Sequence, residues 1–419
     1  MSWMSSSAQA GGSIIVPLFR EPHVRRGLWI VAFIAFLSLF GDFLANDRPL
    51  ACRLDGAVYF PAARGMMVDW GIIRWQPGLV PEKWKGRSYD WVVYAPVAWS
   101  AKSIDPVNMN AVGPFEHQRL DSPRYRHWLG TDQYGRDVAA GLVSGARVSL
   151  SVGLLSMVLA GLIGLILGSL AGYFGDQGLC LTLAELGIPL AGVCMGLFGT
   201  ISLLAVPADL FGNEWLKWLA LSVYLALWLA LSYGCVRLVH QFKWARRSIT
   251  IPADLLIMRL IEVFQSIPVL LFILSLLALF TTSSLLSIAL IIGFVRWTTI
   301  ARFVRAELLR IRELEYMDSA RASGLTHWRI LIGHALPNAM TPVLITLAFG
   351  VASAILAEAS LSFLGIGVPQ DTVTWGGLLQ SARADVSAWW LALFPGAFIF
   401  LTVLSFNLIG EGLRKRDNR

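Results

Sequence analysis

Apolar runs long enough to cross a membrane alternate along the chain with short segments rich in Arg and Lys. About 20 apolar residues, rising 1.5 Å each, span the roughly 30 Å of hydrocarbon in a bilayer. The first such run covers residues 27–45, just after Arg20, Arg25 and Arg26. Its length, and the lack of a small-residue cleavage pattern before Asn46, favour a retained anchor over a signal peptide. Residues 46–145 hold no spanning run and are rich in Pro, Trp, Tyr and alternating charge, which predicts a long extramembrane segment. Further runs cover residues 148–174, 180–206, 215–239, 255–280 (with Pro268 inside), 285–301, 339–361 and 389–409.

That makes eight predicted spans, with both termini on one side. The short basic segments then share a face: the N-terminus, residues 243–247, the stretch from Arg302 to Arg329, and the tail with Arg414, Lys415, Arg416 and Arg419. Basic short loops stay cytoplasmic, so the 46–145 segment falls outside. Gly164 and Gly168 form a GxxxG pair, read as helix packing within the chain rather than a dimer contact.

Composition agrees. Of 419 residues, 56% are hydrophobic and 15% charged, where a soluble chain carries roughly 25% charged residues. The net charge of +7 comes from basic residues that interrupt apolar runs, not from a stripe interleaved with aromatics, so nucleic-acid binding is not expected. Four cysteines make no CxxC pair, and six histidines make no metal-ligand spacing. There is no GxxxxGKS/T phosphate loop, no HExxH and no GxSxG, so neither a nucleotide site of the usual kind nor covalent catalysis is expected.

Within the spans, Arg296 and Glu358 are ionisable groups in costly surroundings. With Gln265, Ser266 and Pro268 they are the candidates to line a translocation path, Pro268 by kinking its helix. A secondary, ion-coupled transporter is the alternative class, but it calls for inverted repeats and converging midplane charges, and no internal repeat is visible.

The most informative segment is the polar stretch at residues 302–337. Ser319, Ala320, Ala322 and Ser323 make a short helix that another surface can approach closely, and Gly324 ends it. Leu325, Trp328 and Ile332 fall on one face of a second short helix, which Pro337 is expected to break before the membrane. This stretch resembles the EAA motif of ABC importer permeases, the element that docks on a cytoplasmic ATPase. Asp318-Ser319-Ala320 stands where that motif has Glu-Ala-Ala, with Arg321, Gly324, Leu325, Trp328 and Leu336-Pro337 continuing it.

A second segment carries Gly130, Thr131, Asp132, Gly135, Arg136 and Asp137, then Gly145-Ala146-Arg147-Val148-Ser149-Leu150. It is similar to the HxLGTDxxGRD…GxRxSL pattern of C-type permeases from dipeptide and oligopeptide importers. Glu358 to Gly365, Trp375-Gly376 and Asn407 to Arg414 match the C-terminal pattern of that group. Asn46 to Leu50 and Asp55 to Pro61 resemble its microcin C and oligopeptide subgroup.

The resemblance implies an all-α polytopic fold, the transmembrane domain of a type I ABC importer. Six family helices would be joined by an inserted pair at residues 177–253. The implied layout is a cytoplasmic N-terminus (1–26), a first span (27–45), a periplasmic segment (46–145), the permease domain (146–410) with its coupling loop (302–337), and a cytoplasmic tail (411–419). Implied partners are a second permease of the B type, two ATPase subunits of the D and F types, a periplasmic or lipid-anchored binding protein, and inner-membrane lipid. ATP and Mg would sit on the ATPases, and this chain would carry no cofactor, metal or catalytic residue.

Overall fold

The computed structural model describes residues 21–417, apart from residues 55, 70, 75–83, 85–88, 121, 179, 183–191, 193–195, 197–198, 201–213, 240–247, 280–283, 368 and 370–371. The chain divides into two compact units, residues 1–168 with 261–419, and residues 169–260.

In the larger unit, α1 (Pro22–Leu44) starts on a proline, which suits a first helical turn whose N–H groups have no partner. Asn46 closes it by donating its side-chain amide to the Asp42 carbonyl at 3.0 Å. The following segment is folded, not a bare loop. Strands β1 (Ala51–Leu54), β2 (Ala57–Tyr59) and β3 (Trp91–Val93) make an antiparallel sheet in the order β2-β1-β3, next to the helix α2 (Pro61–Asp69). Cys52 and Trp84 form its small core.

Helix α3 (Val138–Ser169) begins ten residues before the apolar run that predicts it. Its start is fixed by a cap: the Asp137 carboxylate accepts from the Ala140 N–H at 2.7 Å. Helices α7 (Leu285–Arg312), α10 (Leu336–Phe363) and α12 (Trp390–Asp417) build the bundle, with α10 packed on both α7 and α12, and α12 also on α1. Between α10 and α12 lies the short helix α11 (Trp375–Ala384), packed against both. The small residues of α3 let this bundle close. A Cβ on Gly164 would stand 2.7 Å from the Ile300 Cβ, and one on Gly168 would stand 2.6 Å from the Ala301 carbonyl. The GxxxG pair therefore packs on α7 of the same chain.

The run at 255–280 is broken, not merely kinked. Helix α5 (Ala253–Ser266) stops, and α6 (Val269–Leu277) restarts with its axis turned by 87°. Pro268 has no N–H to continue α5 and disfavours helical backbone at Ile267.

In the unit 169–260, α3 runs on into a π-helical turn, Leu170–Phe174. Strands β4 (Cys180–Thr182) and β5 (Ser248–Thr250) pair antiparallel, and the run at 215–239 is helical as α4 (Glu214–Val239). The run expected at 180–206 thus opens as a strand, and most of its remainder lies outside the described residues. Among the described residues, five helices are long and apolar enough to cross a membrane, or six if the bent pair α5–α6 counts as one span.

Candidate functional site

Helix α7 continues past the expected membrane end at residue 301 to Arg312, so part of the polar stretch is membrane helix extended by three turns. Then come α8 (Glu315–Ala322) and α9 (His327–Ile330). Gly324 sits between them at φ +73°, and its N–H reaches the Arg321 carbonyl at 3.0 Å. This is the left-handed position that ends a helix and that glycine adopts without a Cβ penalty. A Cβ there would meet nothing within 4 Å, so backbone conformation is what selects glycine.

Pro337 does not break the second helix. The helix runs from His327 to Phe363, with a π-helical turn at Leu331–Ala335 just upstream of the proline. A π turn lets the ladder skip a residue where a proline has no N–H and crowds the carbonyl of the preceding turn. The second half of the polar stretch is therefore the end of a long apolar helix rather than a separate short one.

Met317, Ile330, Leu331 and Ala335 are buried and anchor this element to the bundle. The opposite face is bare: Trp328 is 54% exposed and Ile332 64% exposed, with Tyr316 and Leu314 also exposed. Asp318, Ser319, Arg321 and Pro337 are exposed, while Ala320 and Leu325 are half-buried. Arg321 pairs with Asp318 at 2.8 Å and donates to the Arg312 carbonyl at 3.4 Å, which holds α8 against the end of α7. The element thus presents exposed apolar side chains, Leu314, Tyr316, Trp328 and Ile332, beside its buried anchors.

The motif at residues 130–137 forms a tight structural brace. His127, fully buried, meets Asp137 through Nδ1 at 2.8 Å and Asp105 through Nε2 at 3.2 Å, and stacks on Trp99 at 4.6 Å. Burial would raise the Asp105 carboxyl, but hydrogen bonds from Asn108, Val107 N–H and His127 outweigh it and hold it below the usual value. Asp132 accepts from the N–H groups of Tyr134 (2.9 Å) and Arg136 (2.8 Å), yet its burial dominates and pushes its carboxyl up.

Gly130 and Gly135 take positive φ, and a Cβ on Gly130 would lie 2.7 Å from the Val112 carbonyl. Thr131 offers its carbonyl to the Trp390 indole N–H at 3.1 Å, so the brace is tied to the start of α12. Asp105, Trp99 and Trp390 belong to this brace but carry no motif of their own. Their separation from residues 130–137 in the sequence conceals them.

The candidate path residues are not gathered in one place. Gln265, Ser266 and Pro268 are exposed at the α5–α6 break. Arg296 is half-buried on α7, and its Nε is buried without a hydrogen-bond partner among the described residues. Glu358 is fully buried between α3 and α10, accepting from Ser149 (3.0 Å) and Ser362 (2.7 Å). Among the described residues no group of three or more His, Cys, Asp or Glu could hold a metal ion.

Residues 244–416 match the model of the family described as "binding-protein-dependent transport system inner membrane component". The chain is 29% identical over 406 residues to the inner membrane ABC transporter permease protein YejE of Escherichia coli, covering 94% of each. It is 32% identical over 298 residues to a putative peptide transport system permease protein of Brucella suis, covering 71% of this chain and 74% of that one. It is 26% identical over 419 residues to a peptidoglycan transport system permease protein of Agrobacterium fabrum, covering 93% of this chain and 88% of that one. These likenesses give the ion-coupled alternative no support. With its apolar helices, its raised apolar face and these relatives, the chain belongs to the binding-protein-dependent transport system inner membrane components, the multi-pass permease subunits of ABC importers.

Proposed function

We propose that this permease forms, with a second permease of the B type, the path for peptides or peptide-containing cargo across the inner membrane. A permease of this family works with a partner permease, ATPases and a binding protein. Here two ATPase subunits of the D and F types dock on the face carrying Trp328 and Ile332, and bind ATP and Mg on their own residues. Both termini lie in the cytoplasm, and the sheet and brace between α1 and α3 face the binding protein outside. The cargo reading is supported by the Brucella and Agrobacterium relatives, whose names specify peptide and peptidoglycan transport.

The observation that carries the reading is the exposed apolar face on buried anchors between Glu315 and Ala335. An ATPase that holds this face more tightly in one conformation shifts the permease equilibrium by that difference in affinity. Helix α9 continues through the π turn into α10, so a displacement of the face carrying Trp328 and Ile332 is delivered to the bundle along one helix.

The test is purification of the tagged chain in mild detergent, with ATP hydrolysis assayed on the eluate. Recovery of a second permease and ATP-hydrolysing subunits is the expected result. A chain that elutes alone, from a preparation in which known assemblies survive the detergent, would overturn it.

A further inference from the structure

Two sharp turns near the start of α12 each hold one apolar side chain almost bare. In residues 113–116 the Glu116 N–H donates to the Gly113 carbonyl at 3.3 Å, and the Gly113 N–H donates to the Glu116 carboxylate at 2.9 Å. Phe115 stands at the tip of this turn and is 87% exposed. In residues 385–387 the Asp385 carboxylate accepts from the Ser387 N–H at 3.0 Å and from its hydroxyl at 2.6 Å, and Val386 at the tip is 89% exposed. Each turn thus bonds its carboxylate inward and presents an apolar side chain outward, an arrangement that water disfavours.

The first turn is fixed to the head of α12. A Cβ on Gly113 would lie 3.2 Å from the Trp390 ring, and the rings of Phe115 and Trp389 are centred 6.5 Å apart. Trp390 is buried and bonded to the brace, whereas Trp389 beside it is 45% exposed. Charge sets the depth of this corner. Between Asp385 and Glu411 the chain carries no Asp, Glu, Lys or Arg. With Glu411 and the basic tail in one headgroup layer, about 20 residues of helix bring the far edge of the hydrocarbon to Leu391. Trp389 therefore lies in the opposite headgroup layer, the depth at which Trp rings collect, and Phe115 lies beside it.

We propose that Phe115 inserts into the bilayer, so that the turn at residues 113–116, with Trp389 and Val386, seats the brace on the lipid leaflet from which the head of α12 emerges. The proposal rests on the reading of the chain as a permease whose α12 crosses the membrane. A protein partner calls for a shaped surface with polar groups left to pair. These turns offer single apolar tips whose neighbouring carboxylates are already bonded, which suits the mobile boundary between headgroups and acyl chains. Lipid thus sets the height of the brace above the hydrocarbon, through a segment that holds no membrane span.

The test places a benzophenone amino acid at position 115 of the assembled importer in nanodiscs of dioleoylphosphatidylcholine, and identifies the adducts by peptide mass. Phe115 is bare and the replacement is aromatic, so folding is not at stake. The expected result is an adduct to the lipid. Glu116→Ala, which releases the Gly113 N–H and loosens the turn, is expected to lower the yield of that adduct while leaving the melting temperature unchanged.

A label at 115 that gives no lipid adduct would place the ring in water and overturn the seat. A crosslink to the second permease or to the binding protein in place of lipid would overturn it as well, and mark the corner as a protein contact. A yield unchanged by Glu116→Ala would overturn the role of the turn in presenting the ring. Absence of an ATPase from the unmodified assembly would instead count against the permease reading. The lipid adduct is read on the isolated full chain too, so the two failures are separable.

Discussion

Asn338 donates its side-chain amide to the Tyr316 hydroxyl at 3.1 Å and to the His334 carbonyl at 2.8 Å. One side chain at the start of α10 thus reaches both α8 and the π turn that precedes it. Arg321 ties the same short helix to the end of α7. The exposed apolar face is held by contacts to two membrane helices, which is what a lever between an ATPase and a transport path needs.

Replacing Gly324 by alanine introduces no clash, because the surrounding space is open, but forces a non-glycine residue to φ +73° at a cost of about 1 kcal/mol. The expected outcome is a transporter that inserts normally and hydrolyses ATP but moves less cargo per ATP. Paired transport and hydrolysis rates in proteoliposomes check this, and an unchanged ratio would count against the lever.

Gly145 lies directly under the Trp375 ring, whose indole N–H reaches the Leu142 carbonyl at 2.9 Å. A Cβ at this position cannot be accommodated unless the indole moves. Gly145→Ala should therefore destabilise the packing of α3 against α11 by roughly 1–3 kcal/mol. A lowered melting temperature in detergent is the readout, and an unchanged one would contradict the packing.

Much of this was legible in the sequence, for physical reasons that differ from site to site. The small residues at 319, 320, 322 and 323 and the glycine at 324 mark a short helix closed by a left-handed turn, and both are present. Met317, the buried anchor of α8, is a single apolar residue among polar ones and carries no periodic signal. The helix through Pro337 is not legible, because a π turn leaves no trace in a 3.6-residue pattern. The early start of α3 was hidden because its first ten residues are weakly apolar and only the Asp137 cap defines them. Pro268 announces a break but not its size: the axis turns by 87°, and α6 packs on α7.

Asp105 gives the brace a defined acid sensitivity. Its folded pKa lies below the unfolded value of about 3.9, so its stabilisation is complete at neutral pH and is lost as pH falls through the folded value. Fluorescence of Trp99, stacked on His127, should report weakening of the brace as the pH drops below about 4. Asp105→Asn should weaken the brace at neutral pH and remove its share of the acid dependence. An acid transition identical in the variant would assign the effect to other carboxyls.

Arg296 places a guanidinium in a membrane helix, where a charge costs about 2.5–3.5 kcal/mol at the bilayer centre. Its buried Nε finds no hydrogen-bond partner among the described residues of this chain. Arg296→Leu is expected to raise the melting temperature of the isolated chain while lowering transport by the assembled importer. Both quantities falling together would instead make Arg296 a structural residue.

The docking of an ATPase on the face of Trp328 and Ile332 is tested most directly by photo-crosslinking. A benzophenone amino acid replaces Trp328 in the assembled importer, and a second sample carries it at Trp29, which is 69% exposed on α1. The expected result is a crosslink from position 328 to an ATP-hydrolysing subunit, changed in yield by ATP, and none from position 29. A label at 328 that reaches only lipid or the permeases, while the ATPase remains in the complex, would contradict it.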